Sequence, residues 1–302
     1  MDEVTFLHES QTPEASLPAV VLVHYGAPDL TKRCLESLRE MEAEPHRVIV
    51  VDHGPMPGLG RALEGVHPRL SVLEDFSNPG FGCGCNRGAE HAFTGGASAV
   101  WFLNNDAVLE GPTLAPLMAL MRAHPEVGLW GTHQQNGRRL QGPDRMDGWF
   151  CRGVRLNPFA PPAGCRQLDS RESLSGASLL VSRAAWERIG SWPTGYFLYW
   201  EDAAWCRRAH GLGLPIMISD LRILHRSART VGKRSPLQAF YSARNRLLLH
   251  RELFPDRCVE RFWIALYVFQ MRLFQGRPGL LKAAWHGVWA AHRGLDGRDP
   301  RY

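Results

Sequence analysis

Along the first hundred residues, short apolar runs alternate with segments whose apolar side chains recur at helical spacing. The apolar runs at residues 18–25, 46–52 and 99–104 predict buried strands, and residues 70–74 predict a weaker one. Residues 29–41 carry apolar side chains three and four positions apart, which is typical of a helix. Alternating strands and helices predict an α/β fold with a mostly parallel sheet, whose ligands bind beyond the carboxyl ends of the strands.

The pattern changes after residue 131. Residues 132–169 are rich in Gly, Pro, Arg and Gln, and this composition predicts loops. Regular structure then resumes, because residues 173–182 predict a strand and residues 183–189 and 201–211 predict helices. Residues 214–224 predict a further strand or a hairpin. We therefore expect a small irregular excursion near the functional site, after which the chain returns to the main fold.

The chain after Ser235 is helical in pattern, aromatic and basic. Residues 225–302 contain 15 Lys and Arg against 5 Asp and Glu, whereas the whole chain carries a net charge of +5. Arg261 and Arg272 enclose about ten apolar or weakly polar residues, half of what crossing a bilayer requires. Two alternatives remain, namely an amphipathic helix pair on an anionic membrane surface and helices docked on the preceding domain. The aromatic residues cluster with apolar ones, which argues against nucleic acid as a partner.

The start of the chain and its cysteines bear on the cellular compartment. The first residues are acidic, where a secretory signal would be basic and then apolar. The seven cysteines are scattered and odd in number, unlike a disulfide framework. Cys83 and Cys85 lack the two-residue gap of a zinc knuckle, so we expect small buried residues in a turn. These features predict a cytoplasmic protein with reduced thiols.

Acidic residues lie at two kinds of position that suit a functional carboxylate, namely the ends of predicted strands and the start of a predicted helix. Asp52 and Asp106 follow predicted strands, so they are expected at the ligand-binding edge of the sheet. Asp106, after two asparagines, lies in an oxygen-rich turn that suits Mg²⁺ or Mn²⁺, although a plain Asx turn is the alternative. Glu201 and Asp202 begin a predicted helix, whose dipole keeps a carboxylate ionised as a general base requires. The alternative for this pair is a purely structural role at the helix start.

Several short motifs follow one another in a characteristic order. They are residues 20–25 with 34–38, Val50-Val51-Asp52, residues 78–82 with 86–88, residues 102–106, Ser175-Gly176-Ala177, Trp200-Glu201-Asp202 with Arg207, His225, and Tyr241 with Arg244-Asn245. Together they resemble the inverting family 2 glycosyltransferases over roughly residues 19–254. The resemblance implies an α/β fold of the GT-A (nucleotide-diphospho-sugar transferase) type at residues 1–235. Residues 236–302 would then form a helical C-terminal extension, with membrane-surface contact as one alternative.

The resemblance also implies a donor site for a nucleotide sugar. Asp52 would hydrogen-bond the nucleotide base, with a strand-end cap as the alternative. Gly80 would let the backbone approach the nucleotide, and Asn86 would donate a hydrogen bond to it. The remaining residues that the resemblance assigns to the donor side are Tyr25, Asn105 and Arg244. Arg244 would meet the diphosphate or the acceptor, and anchoring the helix to the sheet is equally compatible with the sequence.

A divalent metal follows from the same resemblance. Asp106 falls on the metal-binding acid of the family's DxD element, in which Asn104 takes the first acidic place. This variation is typical of the rhamnosyltransferase-like branch. His225 falls where a second ligand often lies, and a neutral imidazole suits Mn²⁺ better than Mg²⁺. A structural role for a lone histidine is the alternative.

The implied reaction is a single displacement. Asp202, with Glu201 beside it, would act as the catalytic base that deprotonates an acceptor hydroxyl for attack on the anomeric carbon, with inversion. The pattern around Asn104 and Arg244 favours dTDP-rhamnose as the donor, followed by UDP- and GDP-hexoses, and the basic aromatic tail suggests a glycan or lipid-linked acceptor. Two other functions remain as alternatives, a non-catalytic nucleotide-sugar-binding subunit and a sugar-phosphate nucleotidyltransferase. We therefore expect a cytoplasmic enzyme, with contact at the inner face of the membrane as a further alternative.

Overall fold

The computed structural model describes residues 17–43, 46–55, 57–146, 153–155, 164–225, 235–274 and 276–302. The strands are β1 (Ala19–His24), β2 (Arg47–Asp52), β3 (Leu70–Glu74), β4 (Ala99–Leu103), β5 (Ala107–Val108), β6 (Leu129–Asn136), β7 (Arg139–Gln141), β8 (Asp144–Met146), β9 (Gly153–Arg155), β10 (Arg166–Gln167), β11 (Glu172–Ser173), β12 (Ser178–Ser182) and β13 (Ile216–His225). The helices are α1 (Pro28–Met41), α2 (Leu59–Ala62), α3 (Phe81–Thr94), α4 (Leu114–Ala123), α5 (Arg183–Ile189), α6 (Glu201–Gly211), α7 (Pro236–Leu253), α8 (Cys258–Leu273) and α9 (Pro278–His292).

One mixed sheet forms the centre of the molecule. Its strand order is β10-β13-β6-β12-β4-β1-β2-β3, with β5 added to β13 and β7 added to β6. The expected parallel arrangement holds for β4, β1, β2 and β3. Beyond them β12 is antiparallel to both β4 and β6. Because β12 runs in the opposite direction, its first residues lie beside the carboxyl ends of the parallel strands.

Alternate side chains of the strands enter two hydrophobic layers. In β1, Ala19 and Val21 pack with the layer that contains buried residues of α3, whereas Val20 and Leu22 pack with the layer that contains those of α1 and α4. This alternation is the period of two that a strand imposes on its side chains. The sheet is therefore buried on both faces, and its open end for a ligand is the edge formed by the carboxyl ends of the strands.

The prediction of loops at residues 132–169 is wrong at its start, because β6 continues to Asn136 and pairs with β7. The polar side chains of this stretch are buried and hydrogen-bonded inside the sheet. Thr132 Oγ1 donates to Ser178 Oγ at 2.8 Å, and His133 Nδ1 lies 2.9 Å from the carbonyl oxygen of Ser219. Because the buried side chains of this part of the strand are polar and hydrogen-bonded, no alternation of apolar and polar residues marks it as a strand in the sequence. Residues 147–152 and 156–163 of the predicted loop region lie outside the described residues.

The single strand predicted at residues 173–182 is two strands with a turn between them. β11 ends at Ser173 and β12 begins at Ser178, and each belongs to a different sheet. The helices predicted at residues 183–189 and 201–211 have the bounds of α5 and α6. The interrupted strand matters for the site, since the turn of residues 174–177 reaches the ligand-binding edge.

The three C-terminal helices pack on the sheet domain through α7 and α9. Phe240 and Tyr241 of α7 share a hydrophobic cluster with Leu280 and Ala283 of α9 and with Phe197. Large apolar side chains of α8 and α9 remain exposed: Val259, Phe262, Trp263, Leu266, Leu273, Trp285 and Trp289. Among the described helices, none combines the length and the apolarity that crossing a bilayer requires. Of the two alternatives, docking on the sheet domain describes α7 and α9, whereas α8 presents an apolar outer face.

Candidate active site

The end of β2 carries a buried carboxylate with an unused oxygen. Asp52 has no exposed surface, and its Oδ1 accepts a hydrogen bond from the backbone N–H of Gly54 at 2.8 Å. Its Oδ2 has no hydrogen-bond partner among the described residues. A buried carboxylate oxygen without a partner is costly unless a ligand donates to it. Tyr25, which follows β1, is 43% exposed beside this edge of the sheet.

Histidines flank Asp52 on both sides. His24 is its partner in the parallel pairing of β1 and β2, and the backbone N–H of His53 donates to the carbonyl oxygen of His24 at 2.9 Å. Burial lowers the pKa of both histidines, so their rings are neutral at physiological pH. His53 Nε2 lies 3.6 Å from Asp75 Oδ2, which Arg87 Nη1 also approaches to 3.4 Å. The groups next to the Asp52 carboxylate are therefore neutral histidine rings. The charge of Asp75, which lies beyond His53, is offset by Arg87.

The turn after β4 brings Asp106 against His225. β5 follows this turn and pairs with the last residues of β13, where Ala107 is the partner of His225. The pairing places His225 Nε2 3.1 Å from Asp106 Oδ1 and 3.1 Å from the Asn104 side-chain nitrogen. His225 Nδ1 lies 3.1 Å from Gln134 Oε1 at the end of β6. No signal in the sequence marks Gln134 as a site residue, since it lies in the polar stretch whose composition predicts loops.

This geometry fits a divalent cation. An imidazole that donates from Nδ1 to Gln134 presents its Nε2 lone pair toward the Asp106 carboxylate. Two lone pairs at 3.1 Å repel each other unless a proton or a cation lies near both. The amide of Gln134 then orients the histidine as second-shell groups do around metals. Within the described residues no group of three or more His, Cys, Asp or Glu side chains could hold a metal. Asp106 and His225 would thus supply two ligands, and the rest would come from phosphate oxygens and water.

Asn105 connects the turn that carries Asp106 to the end of β1 through Thr31. Its side-chain nitrogen donates to Thr31 Oγ1 at 3.0 Å, and the same hydroxyl lies 2.7 Å from His24 Nδ1. All three groups are buried. The structure therefore gives the Asn105 amide a role in joining the Asp106 turn to β1. Thr31 was not identified from the sequence, because its position in α1 looks like an ordinary polar position on a helix.

Asp202 lies at the start of α6 and reaches the same edge of the sheet as Asp106. Its Oδ2 accepts a hydrogen bond from the backbone N–H of Gly176 at 3.0 Å, and its Oδ1 accepts from Ala203 N–H at 2.8 Å. Next to Gly176, the carbonyl oxygen of Ala177 accepts from Asn104 N–H at 3.0 Å. The turn of residues 174–177 is thus shared by Asp202 and by the segment that carries Asp106. Two carboxylates from distant parts of the chain are therefore joined through one short turn at this edge of the sheet.

Glu201, the neighbour of Asp202, is a different kind of carboxyl group. It is buried, and its Oε2 has no hydrogen-bond partner among the described residues. Burial, and then the charge of Asp202, raise the pKa of Glu201 to about 8. Burial and the proximity of Glu201 also raise the pKa of Cys85 in α3. Glu201 is therefore mainly a neutral acid at pH 7, whereas the backbone N–H donors of Asp202 stabilise a carboxylate.

Gly80 is where the donor-side loop meets the loop before Asp202. Its φ of +112° is in the region that favours glycine, and a Cβ there would lie 2.7 Å from Phe197 Cα. The next backbone N–H, that of Phe81, donates to the carbonyl oxygen of Phe197 at 2.8 Å. The sequence predicted an approach of the Gly80 backbone to a nucleotide. The structure shows that the absence of a side chain also allows two segments of the protein to touch.

Asn86 and Arg244 have hydrogen-bonding groups that are used within the protein. Asn86 Nδ2 donates to the carbonyl oxygen of Trp192 at 3.0 Å, and its Oδ1 accepts from Trp192 N–H at 2.7 Å. Arg244 is 1% exposed and donates to the carbonyl oxygens of Gly195, Tyr196 and Gly297. The expected hydrogen bond from Asn86 to the nucleotide and the expected contact of Arg244 with a diphosphate or acceptor stay predictions. Both side chains anchor backbone, which for Arg244 is the alternative that the sequence left open.

One feature of the site has no signal in the sequence. Phe197, Tyr199 and Trp200, directly before Glu201, have φ values of +61°, +71° and +78°. Residues other than glycine, asparagine and aspartate are uncommon in this region, and such strain concentrates at functional sites. No glycine marks these positions, so only the structure reveals them.

The chain is similar to known proteins both in sequence and in fold. The family model described as Glycosyl transferase family 2 matches residues 19–169. Proteins from two strains of Mycobacterium tuberculosis, CDC 1551 and H37Rv, are named N-acetylglucosaminyl-diphospho-decaprenol L-rhamnosyltransferase. Each is 27% identical over 240 residues, which is 72% of this chain and 78% of the relative.

Among solved structures, Staphylococcus aureus TarS is similar with a TM-score of 0.55 and 16% identity, over 84% of this chain. The chain spans 43% of the length of that structure. The mannosyltransferase PcManGT from Pyrobaculum calidifontis, in complex with GDP-Man and Mn²⁺, also has a TM-score of 0.55 and 16% identity. That match covers 91% of this chain and 75% of the other. At these identities the likeness concerns the fold, and the GT-A fold expected from the sequence is confirmed.

Proposed function

Because the chain belongs to glycosyl transferase family 2 and is a nucleotide-sugar-dependent glycosyltransferase, we propose that it transfers L-rhamnose from dTDP-rhamnose, with inversion, to a lipid-linked acceptor. The acceptor that we propose is a polyprenyl diphosphate bearing N-acetylglucosamine, after the printed names of the Mycobacterium tuberculosis relatives. The observation that carries the proposal is the turn of residues 174–177, which Asp202 and the segment of Asp106 share, and we propose that the two carboxylates border one cleft.

The nucleotide base is proposed to bind at Asp52. Thymine presents an imide N–H, and Asp52 Oδ2 is a buried acceptor without a partner among the described residues. Donation from the base would satisfy that oxygen, which supports a pyrimidine imide at this place. The half-exposed ring of Tyr25 offers a flat apolar surface for the base to stack against.

Asp106 and His225 are proposed to hold a divalent metal, with Mn²⁺ favoured by the imidazole ligand. When bound, the metal would offset the negative charge that develops on the leaving diphosphate. Asp106 Oδ1 and His225 Nε2 face each other at 3.1 Å, and Gln134 fixes the ring so that this nitrogen stays in place. The protein thus contributes a preoriented pair of ligands at the end of the sheet.

Asp202 is proposed as the catalytic base. An acceptor hydroxyl would give its proton to the Asp202 carboxylate, and its oxygen would form a bond to the anomeric carbon while the bond from that carbon to the diphosphate oxygen breaks. Attack from the face opposite the leaving group gives inversion. The pKa of Glu201, raised by burial to about 8, leaves that neighbour mainly protonated at pH 7, which supports Asp202 rather than Glu201 as the base.

The test is transfer from dTDP-L-rhamnose to a short-chain polyprenyl diphospho-N-acetylglucosamine with Mn²⁺, followed by product mass and dTDP release. In Asp202→Asn we expect the rate to fall about 10³-fold, because the amide cannot accept the hydroxyl proton. Binding of dTDP, measured by calorimetry, should stay within about threefold, since Asp202 is proposed to act on the acceptor. Asp256→Asn, a change at an exposed position between α7 and α8, is the control and should transfer normally.

An Asp202→Asn variant that transfers at the wild-type rate would exclude this carboxylate as the base. If the chain transfers no sugar from dTDP-rhamnose but does so from a UDP- or GDP-hexose, the proposed donor is wrong. The proposed type of reaction, sugar transfer from a nucleotide sugar, would still hold. A wild-type chain that binds dTDP and Mn²⁺ but transfers none of these sugars would favour a non-catalytic binding subunit.

We further propose that the enzyme works at the cytoplasmic face of a membrane, on which α8 and α9 lie. Phe262, Trp263 and Leu266 of α8 are exposed on a segment that also carries Arg261. Arg293 stacks on the Trp289 ring at 4.2 Å. Aromatic side chains with adjacent arginines suit the interface of an anionic bilayer. A surface position would also bring the cleft to a lipid-linked acceptor.

Co-sedimentation with vesicles tests this contact. The wild-type chain should sediment with vesicles that contain phosphatidylglycerol and much less with neutral phosphatidylcholine vesicles. Phe262→Ala combined with Trp263→Ala should weaken sedimentation about tenfold or more, because two buried aromatic contacts are lost. Leu212→Ala, a change of an exposed apolar residue at the end of α6, is the matched control. Equal sedimentation of the double variant and the wild type would refute a membrane-facing α8.

A further inference from the structure

The segment directly before the proposed base is held in an unfavourable backbone conformation. We call residues 195–200 the base loop, because α6, with Asp202 in its first turn, follows it. Phe197, Tyr199 and Trp200 in this loop have positive φ values. Such a conformation is unfavourable for a residue with a side chain and persists only where the surroundings impose it. The surroundings that impose this conformation must therefore be identified, since they determine the direction of Asp202.

A single buried amide contacts most of the base loop. Asn245 in α7 is fully buried, and its Nδ2 lies 2.8, 2.9 and 2.8 Å from the carbonyl oxygens of Tyr196, Leu198 and Tyr199. Its Oδ1 accepts from Arg244 Nε at 2.8 Å. Because an arginine side chain only donates, this contact fixes the amide with its oxygen toward Arg244 and its N–H groups toward the loop. The two N–H groups of Asn245 thus serve three carbonyl oxygens of the strained segment.

The C-terminal residues of the chain complete the support. Gly297 N–H donates to the carbonyl oxygen of Gly195 at 2.6 Å, and Arg244 Nη1 donates to the carbonyl oxygen of Gly297 at 2.6 Å. Arg298 Nη1 donates to the carbonyl oxygen of Ser77 at 3.0 Å, and its guanidinium lies 5.9 Å from the centre of the Phe197 ring. Arg298 therefore links the base loop to the segment that leads to Gly80.

We propose that Asn245 is a positioning residue for Asp202, assisted by Arg244 and by Arg298. Its amide holds the base loop in the left-handed conformation that sets the start of α6 and the direction of the Asp202 carboxylate. Without it, the carbonyl oxygens of Leu198 and Tyr199 lose the Asn245 donor, and the backbone relaxes toward ordinary φ values. Asn245 itself does not touch the substrate. The effect on transfer rests on the proposed function, whereas the effect on the loop does not.

The test replaces Asn245 in the full chain and measures the loop and the reaction separately. In Asn245→Ala, hydrogen–deuterium exchange of amides 197–203 should rise at least tenfold while exchange in β1 and β2 stays unchanged. With dTDP-L-rhamnose, Mn²⁺ and the polyprenyl acceptor, kcat should fall about 10–100-fold, because small misplacements of a catalytic group cost rates of this order. Binding of dTDP should stay within about threefold.

Asn245→Asp distinguishes loss of the donors from loss of volume. Aspartate fills the same space and can still accept from Arg244, but it has no N–H to offer the loop. We expect the same rise in exchange as in Asn245→Ala. Normal exchange and normal kcat in Asn245→Asp would show that the amide only fills space and would overturn the proposal.

Arg298 provides a variant that preserves the buried core. Arg298 is exposed, so Arg298→Ala should fold even if the Asn245 variants do not. We expect a two- to fivefold fall in kcat, with partial recovery in Arg298→Lys, and no change in Arg188→Ala, a change at an exposed arginine in the last turn of α5. Raised exchange with unchanged kcat, or unchanged exchange in the Arg298 and Asn245 variants, would refute positioning. If the wild-type chain transfers no rhamnose, the proposed function fails, and the exchange data alone decide whether Asn245 orders the loop.

Discussion

The two sides of the cleft are built in different ways. On the donor side, Asp52 is the last residue of β2 and Asp106 lies in the turn after β4, so the parallel pairing of these strands with β1 fixes where they lie. On the base side, Asp202 follows a strained loop, and its direction depends on Asn245 of α7 and on the C-terminal residues. The donor side is thus positioned by local structure, whereas the base side is positioned by contacts between segments far apart in the chain.

This difference predicts how each side responds to mutation. Donor-side substitutions should act on nucleotide or metal binding, because the strands keep the backbone in place when a side chain is lost. Base-side substitutions should act on the rate of transfer, even at positions that touch no substrate.

Replacement of Asp106 by asparagine should have the largest effect on the donor side. The amide keeps the size of the carboxylate but not its charge, so it binds a divalent cation much more weakly. We expect kcat/KM to fall about 10²–10³-fold at fixed Mn²⁺. A titration of transfer against Mn²⁺ checks this, with the midpoint moving to higher concentration.

Glu110→Gln is the matched control for Asp106→Asn, because Glu110 is an exposed acid just after β5. It should keep the wild-type dependence on Mn²⁺. An unchanged titration midpoint in Asp106→Asn would mean that Asp106 does not ligate the metal, and the donor side would lose its charged ligand.

The donor side is also the part that the sequence predicted best. The strands at residues 46–52 and 70–74 and the acids after the strands were identified because β-branched runs ending in a polar residue are a local signal. The family and the GT-A fold are confirmed by the comparisons. Both conclusions rest on short segments whose structure depends mainly on their own residues.

The base side could be predicted only in part. α6 was predicted with its observed bounds, yet nothing in the sequence indicates positive φ values at Phe197, Tyr199 and Trp200. Arg244 was expected near ligands, because an arginine in a family motif is often a phosphate ligand, and the structure uses its donors on backbone carbonyls. A residue's partner across more than forty positions is a tertiary property. Local patterns of polar and apolar residues do not contain it.

A substitution at Gly80 tests the contact between the two sides. Gly80→Ala places a methyl group 2.7 Å from Phe197 Cα at a φ of +112°, so both a clash and a strained backbone result. We expect a loss of about 2–3 kcal/mol in the free energy of unfolding together with reduced transfer. Urea denaturation and initial rates measure the two effects.

Gly58→Ala serves as the comparison for Gly80→Ala. Gly58 has a φ of +115°, but a Cβ there meets nothing within 4 Å. It should show the backbone cost alone, about 1 kcal/mol, with normal transfer. If the two variants lose equal stability and both transfer normally, then the contact of Gly80 with Phe197 does not couple the sides.

Asp52→Asn should have a moderate effect, confined to the donor. The amide can still face the base, but its nitrogen replaces one acceptor oxygen, so one hydrogen bond from an imide N–H is weakened or lost. We expect KM for dTDP-rhamnose to rise about tenfold while kcat changes less than threefold. A fall in kcat with unchanged KM would place Asp52 in the chemistry and contradict the division between the two sides.

The smallest effect concerns Glu201 and appears as a pH dependence of stability. The folded protein has a Glu201 pKa of about 8, above the ordinary value of 4.5, so between these values the folded state keeps a proton that the unfolded state releases. This group's contribution to the free energy of unfolding therefore falls as the pH rises through that range. Glu201→Gln cannot ionise, so its stability relative to the wild type should increase by about 1–2 kcal/mol between pH 5 and pH 6.5. Thermal unfolding across this range measures it, and Glu187→Gln at an exposed position of α5 should show no such trend. A difference between Glu201→Gln and wild type that is the same at every pH would mean that Glu201 is charged in the folded state, and the base role would then have two candidates instead of one.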